Sequence, residues 1–471
     1  MKHWYLFFGL FSLIVFFGAM TARAQTVVTT GAIHGRVSDS SGGMVSGALV
    51  ELLEGTTEAQ QDRMTAKDGT FLFPALTIGQ YSLKVAAPGF RTAEISSVTV
   101  QIGQTTTTNV RLQPGPSTQS IVVTATTPLL RTTESTLSTV VNRSMLDQVP
   151  LSGRRYTDFA LLTPNASPDG QTGLVSFGGE QGGEDTGYAN GNGANSFTLD
   201  GASATSTYFG NARGGERIPY VSGQNSIEEF QVAVSPYSAA YGGGATGFVN
   251  TVTRSGSDSF HGDLFYFNRN SGTGANDAVD KAAGLPRPVD ILQQFGAALG
   301  GPIAQRHAWF FFDYEQQREK NPISVINPDY RNIGPTDFGL PSGTQLPAPN
   351  GPLPVPGTNT TPDPNNPVYL QQVSNALAAI HSNLGTHSRY RNDLAFFSKF
   401  DVLLGPKDRF YLSLNLNRFN SPNGEITSTT TPLFGISALA NSFVRDYHAS
   451  SGWTFSWNQS AQRISRQLCE R

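Results

Sequence analysis

Three groups of residues in this chain have types and spacings that chemistry uses. Ser259, His261 and Asp263 are the residue types of a hydrolase relay. Such a relay needs the base within reach of the nucleophile and an acid orienting the base. These three lie on or beside one strand, and no Gly-x-Ser-x-Gly elbow presents a serine. Gly178-Gly179-Glu180-Gln181-Gly182-Gly183-Glu184-Asp185 could gather carboxylates around a cation, but it lacks the ligand spacing of a calcium loop and reads as a loop. Gly242-Gly243-Gly244 has the backbone freedom of a phosphate cradle, yet no Gly-Lys-Ser/Thr follows it. None of the 7 histidines has Glu three positions later, which removes the His-x-x-Glu pair of a zinc hydrolase. The single Cys469 excludes an intramolecular disulfide and a thiolate cluster. The sequence therefore offers no catalytic residue, no metal ligand and no cofactor site, and binding functions stand ahead of enzymatic ones.

What would position binding residues is β structure. With 471 residues, two or three units are expected. A net charge of -3 argues against a general nucleic-acid binder. Only 14% of residues are charged, against 50 Gly and 28 Pro, which favours turn-rich strands over helical bundles. Phe410, Leu412, Leu414 and Leu416 alternate with Tyr411, Ser413, Asn415 and Asn417. Alternate residues of a strand share a face, so this strand is oily on one side and polar on the other.

That pattern recurs. Strands are expected over 260–270, 291–301, 308–319, 392–404, 408–419 and 443–458. Phe310, Phe312 and Tyr314 alternate with Phe311, Asp313 and Glu315, and Trp453, Phe455 and Trp457 alternate with Thr454, Ser456 and Asn458. Connections 301–307 and 405–407 are short, whereas 271–290, 321–390 and 421–442 are long and polar. The longest is proline-rich and holds an amphipathic helix from Val368 to Leu384. Two-faced strands, aromatic residues near strand ends, and connections alternately short and long describe the wall of an outer-membrane β-barrel.

The N-terminus agrees. Lys2 and His3 precede an apolar run from Trp4 to Phe17, and Ala22-Arg23-Ala24 supplies a small-x-small pattern. A secretory signal over 1–24 is expected, with cleavage between Ala24 and Gln25; an uncleaved anchor is the alternative. No later segment offers about 20 continuous apolar residues, so a membrane could be crossed only by strands in a closed barrel.

Between signal and wall lie two further units. Gly35-x-Val37-x-Asp39, Gly47-Ala48-x-Val50, Lys67-Asp68-Gly69-x-Phe71, Leu76-x-x-Gly79-x-Tyr81 and Pro88-Gly89-Phe90 punctuate short strands at regular spacing. They resemble the carboxypeptidase regulatory-like domain, a prealbumin-like β-sandwich, here over 26–115. The resemblance implies a grouping with carbohydrate-binding sandwiches. Tyr81 or Phe90, if exposed, would stack on a sugar; turn and core packing is the competing role.

Pro114-Gly115-Pro116-Ser117 is a linker by composition. Ser120, Ile121, Val122, Val123, Thr124 and Ala125 form a short β-prone run ahead of a new domain. Met145-Leu146-Asp147-Gln148-Val149-Pro150-Leu151-Ser152-Gly153-Arg154, Asn195-Ser196-Phe197-Thr198-Leu199-Asp200-Gly201, Ser226-Ile227-Glu228-Glu229-Phe230-Gln231-Val232 and the glycine-rich stretch from Tyr241 to Gly256 follow. Together these resemble the plug of TonB-dependent receptors, over 116–256, and Gln294-Phe295-Gly296 with Gly300-Gly301-Pro302-Ile303 and Trp309-Phe310-Phe311-Phe312 resembles their Oar-like members. The resemblance makes Ser120–Ala125 a TonB box, the strand with which a periplasmic energy transducer pairs. It implies outer-membrane lipid as surroundings and a glycan, peptide or metal chelate as extracellular ligand.

The fold expected is thus mainly β: an N-terminal prealbumin-like sandwich, an α+β plug, the first hairpins of an antiparallel transmembrane barrel over 257–458, and an atypical polar tail over 459–471. Such receptors close about 22 strands around the plug, and about six are legible here. The expectation is a truncated or frameshifted member, placed in the outer membrane, or in the periplasm if the barrel cannot close. The alternatives are a secreted or periplasmic carbohydrate- or peptide-binding adhesion module acting through the sandwich, and a non-functional fragment.

Overall fold

The structure is a computed structural model. It describes residues 29–116, 120–122, 137–149, 151–168 except 152 and 165, 175–177, 195–205, 222–234, 247–325 except 277, 283–286 and 288, 333–350, 362–405, 408–426, 439–457 and 460–470. The expected signal peptide, with Ala24 and Gln25, lies outside them, as do Val123, Thr124 and Ala125.

The first unit is a sandwich. Its strands are β1 (Gly31–Ser38), β2 (Leu49–Glu54), β3 (Gln60–Met64), β4 (Thr70–Leu76), β5 (Gly79–Ala86), β6 (Thr92–Val100), β7 (Thr105–Thr107) and β8 (Val110–Arg111). One sheet runs β4-β1-β7, with β8 also on β1; the other runs β3-β2-β5-β6 and ends on β9 (Ser120–Val122). Alternate residues Val50 and Leu52 on β2, Phe71 and Phe73 on β4, and Leu83 and Val85 on β5 fill the space between the sheets. Tyr81 belongs to this core, only 4% exposed, and its hydroxyl donates to Thr77 O at 2.9 Å. Burial, and then the nearby Glu54 charge, push its phenol up. Phe90 packs against the same core. Tyr81 is therefore not a sugar-stacking surface: its position on β5 points it inward.

The second unit contains β10 (Leu137–Asn142), β11 (Ala166–Pro168), β12 (Val175–Phe177), β13 (Asn195–Leu199), β14 (Ala202–Ser203), β15 (Ile227–Val234) and β16 (Gly247–Thr253). Five of these form a mixed sheet ordered β10-β15-β16-β13-β14, in which β10 is an edge. The helix Arg143–Gln148 follows β10 directly, and the Asn142 side chain caps it by accepting from Met145 N at 3.1 Å. Leu146, Phe159, Phe230 and Val249 close the core.

The third unit is the wall. β17 (His261–Asn270), β18 (Ile291–Ala304), β19 (Ala308–Lys320), β22 (Tyr390–Gly405), β23 (Asp408–Ile426), β24 (Leu439–Trp457) and β25 (Ser460–Glu470) form one antiparallel sheet in that order. Among the described residues it is open, with β17 and β25 as edges. The short ribbon of β20 (Ile323–Val325) and β21 (Gly385–His387) extends β19 and β22 at the long-loop end. There the expected amphipathic helix is present as Pro367–Ser382, capped by Asn366, with Tyr369, Val373 and Leu377 packed on Leu340.

The alternation of β23 is observed as read. Phe410, Leu412 and Leu414 are exposed on one face, while Tyr411, Ser413, Asn415 and Asn417 are buried on the other. The expected polar tail is corrected: residues 460–470 pair along β24, from Trp457↔Ser460 to Tyr447↔Glu470, as a seventh wall strand. Ladder bonds are made by the backbone, so an open edge can recruit a segment that lacks the wall's side-chain alternation. If the outer face meets hydrocarbon, Leu414→Arg will cost about 2–4 kcal/mol near the bilayer midplane. Urea titration of protein folded into liposomes, followed by heat-modifiable gel migration, measures this; Ser413→Ala on the inner face will shift the midpoint far less.

Candidate functional site

The wall's polar face is where the second unit docks. Inward positions of β19 carry Asp313, Glu315, Gln317 and Glu319, those of β22 carry Asp393, Lys399 and Asp401, and all are buried. A charge buried on a sheet must find a partner from whatever packs there. Two clusters supply the partners.

At the first, Arg154 Nη2 meets Glu315 Oε1 at 3.1 Å and donates to Asn225 Oδ1 at 3.0 Å. Asn225 N donates to the same Glu315 oxygen at 2.8 Å. The guanidinium lies 3.9 Å from the centre of the Phe265 ring on β17, a cation–π contact. Gly223 brings the backbone against these carboxylates: a Cβ there would fall 2.7 Å from Glu315 Cδ. Just upstream, Arg143 Nη1 donates to Gln224 O and Ile227 O, each at 3.0 Å, and Arg143 also pairs with Asp147.

At the second, Asp200 ends β13 with φ +50°, a left-handed conformation uncommon outside glycine. Its carboxylate accepts from Thr253 N at 2.9 Å and Thr253 Oγ1 at 2.5 Å, and lies 3.4 Å from Lys399 Nζ. Tyr411 on β23 donates its hydroxyl to Asp200 O at 2.6 Å. The Asp-Gly turn thus ties β16 to two wall strands at once.

The sandwich closes the same site from the short-turn end. Glu54 Oε1 lies 3.7 Å from Arg409 Nη1, Asp258 N donates to Thr56 O at 3.0 Å, and Glu58 pairs with Arg306. Between the three units lies a cavity of about 340 Å³, lined by Glu54, Asp200, Thr253, Lys399, Arg409 and Tyr411 among others. The second joint of the sandwich is to the mixed sheet: Ile102 N donates to Glu229 Oε1 at 2.6 Å. Burial, reinforced by neighbouring Glu228 and opposed by this hydrogen bond, raises the Glu229 carboxyl from 4.5 to about 7.

The relay types do not form a relay. His261 Nδ1 is 3.1 Å from both Ser257 Oγ and Ser259 O, while Asp263 Oδ2 pairs with Arg254 Nη1 at 3.0 Å. Among the described residues no carboxylate orients the imidazole towards Ser259. Gly178–Asp185 and Gly242–Gly244 lie outside the described residues. Of the expected coupling segment, Ser120–Val122 is β9, paired in parallel with β6 as Thr92↔Ser120, Ala93↔Ile121 and Glu94↔Val122. Sequence reading did not single out the Arg154–Glu315 or Asp200–Lys399 pairs. The available signal was charge at inward positions of otherwise lipid-patterned strands.

Two family models match this chain: the outer membrane beta barrel domain over residues 252–462 and the carboxypeptidase regulatory-like domain over residues 32–113. The TonB-dependent transporter Oar of Myxococcus xanthus is 25% identical over 345 residues, which are 69% of this chain and 30% of that protein. The chain therefore spans less than a third of the length of this relative. Among solved structures, a mutant ferric enterobactin receptor of Pseudomonas aeruginosa in complex with enterobactin aligns with TM-score 0.43 and 11% identity, over 70% of this chain and 40% of that one. The siderophore receptor PirA of Acinetobacter baumannii aligns with TM-score 0.44 and 11% identity, over 70% and 39%.

Removing Arg154 takes from the buried Glu315 carboxyl its cationic partner and leaves it, among the described residues, the Asn225 amide. Arg154→Ala is expected to weaken docking by about 3–5 kcal/mol, measured as faster hydrogen exchange across 222–234; Arg154→Ala with Glu315→Gln will recover part of it. Glu229 gives a pH signature. A carboxyl raised in the folded state contributes stability that is full below about 4.5 and is lost as pH rises through about 7. The Ile102 joint will loosen as pH rises from about 4.5 to about 7 and change little above that, read by exchange at the Ile102 amide, and Glu229→Gln will flatten that dependence.

Proposed function

We propose that this chain, a homologue of the Oar transporter carrying an outer membrane beta barrel domain behind a carboxypeptidase regulatory-like domain, works as a TonB-dependent receptor. It is an outer-membrane protein. In this reading residues 1–24 are the signal, cut between Ala24 and Gln25; 26–115 the regulatory-like sandwich; 116–256 the coupling segment and plug; and the strands from 257 onward the wall, bounded by outer-membrane lipid. The ligand is bound from outside by long loops and plug apices, and its class is a glycan, a peptide or a metal chelate. No covalent step enters in this reading.

The observation that carries this reading is the order of connections from the coupling segment to the plug–wall contacts. Ser120–Ala125 is followed in the chain by β10, an edge strand whose register runs from Leu137↔Val234 to Asn142↔Glu229. Tension from a TonB-type transducer would reach β10 first. An edge strand can be peeled while the central pair of β15 and β16 stays intact. The next connections loaded are the helix Arg143–Gln148 with its Arg143 bonds, and then Arg154 on Glu315. Pulling therefore loosens the plug along its wall contacts in sequence, and a path for the ligand opens on the polar inner face.

The test uses the full chain expressed in a host with its own transducer. It should sediment with outer membranes, and a photo-crosslinker at position 123 should capture the transducer. Val122→Pro, which removes a backbone donor, should cut that capture about tenfold with sedimentation unchanged. A chain that stays soluble in the periplasm, or capture insensitive to the proline, would refute the proposal.

A further inference from the structure

The coupling segment, on the reading just given, would be free to meet its partner only if it were unattached. It is attached. The linker ahead of it is tied to the sandwich: Arg91 N donates to Gln113 O at 2.8 Å, Gly115 N donates to Gly89 O at 3.1 Å, and Phe90 bridges Pro114. Gly115, at φ +154°, lies close against Arg91; a Cβ there would fall 2.7 Å from Arg91 Nε. Beyond the linker, Ser120–Val122 runs beside Thr92–Glu94 as the last strand of the β3-β2-β5-β6-β9 sheet. Among the described residues β9 has β6 on one side and no strand on the other.

We infer that the sandwich is a presenting platform: it holds Ser120–Val122 of the coupling segment as a preformed edge strand whose outer side is the docking surface for an extended strand of the periplasmic transducer. The chemistry of the partner follows from the surface. An edge strand offers a row of backbone N–H and C=O groups, and the complementary object is another extended backbone. Holding the segment extended beforehand removes an ordering cost that a flexible segment would meet on binding. Nothing needs to be displaced, because the face used by β6 and the face offered to the partner are opposite sides of one strand. This gives the regulatory-like domain a task in coupling that does not involve sugar. The joints of the sandwich at Glu54, Glu58 and Ile102 would fix where the strand is offered relative to the plug.

Hydrogen exchange of the full chain in detergent, with and without the purified periplasmic domain of a TonB-type transducer from the same genome, tests this. Slow exchange at 120–122 in the free chain, slower still with the transducer, and unchanged protection at Thr92–Glu94 is the expected result. A Gly115→Val variant, strained at φ +154° and pressing on the Arg91 side chain, should expose 120–122 and weaken transducer binding about tenfold, as the competent fraction falls. Fast exchange at 120–122 in the free chain would overturn the inference while leaving the receptor reading intact. Protection that is lost at Thr92–Glu94 when the transducer binds would also overturn it, since the sandwich would then be withholding the strand. A transducer that binds without touching 120–122 would sink the coupling assignment itself, and the inference with it.

Discussion

A sheet that turns one face to hydrocarbon has only its other face on which to place charge, and the rest of this structure depends on that asymmetry. The strands of the wall keep period two over long runs, so every inward position becomes a defined place for a polar group. Glu315, Lys399 and Asp401 occupy such places, and each is buried. A buried charge left alone is costly, whereas one met by a hydrogen-bonded partner is tolerated. The second unit supplies Arg154 to Glu315 and Asp200 to Lys399, and the sandwich reaches Arg409 through Glu54. Docking is therefore built from specific polar contacts rather than from an apolar interface. Contacts of that kind can be broken one after another by force and remade, because water can solvate the parted charges.

The same asymmetry explains the backbone conformations at the joints. Arg154 and Asp200 both have positive φ, at +53° and +50°, although neither is glycine. Strain of this kind persists where surroundings overdetermine it, and each residue here is held by several bonds to the wall or to its neighbouring strand. The sandwich is held at the short-turn end by the buried Glu54–Arg409 pair and the exposed Glu58–Arg306 pair, and against the mixed sheet by Ile102 on Glu229.

Much of this was legible in the residues. The two-faced run from Phe410 to Asn417 can be read by eye because neighbouring positions carry the signal. The turn signals of the sandwich and the helix at Pro367–Ser382 are local in the same way. What could not be read was long-range. Arg154 and Glu315 are 161 positions apart, and which inward carboxylate meets which arginine is set by docking. The pairing of β9 with β6 and of β25 with β24 was invisible for another reason: ladder hydrogen bonds use the backbone, which every residue possesses. The expected polar tail became a wall strand on that account. Tyr81 illustrates the converse, an aromatic residue whose local pattern fits either surface or core until its sheet is packed against another.

Site-directed spin labelling along β23 tests the central claim most directly. Single cysteines at positions 410 through 417, in a Cys469→Ser background, would be labelled in membranes and their relaxation by oxygen and by a water-soluble nickel chelate compared. The account predicts strong oxygen contact at 410, 412, 414 and 416, alternating with positions 411, 413, 415 and 417 that are shielded from both agents by the second unit packed on that face. Nickel contact on both faces, or no alternation with position, would contradict it.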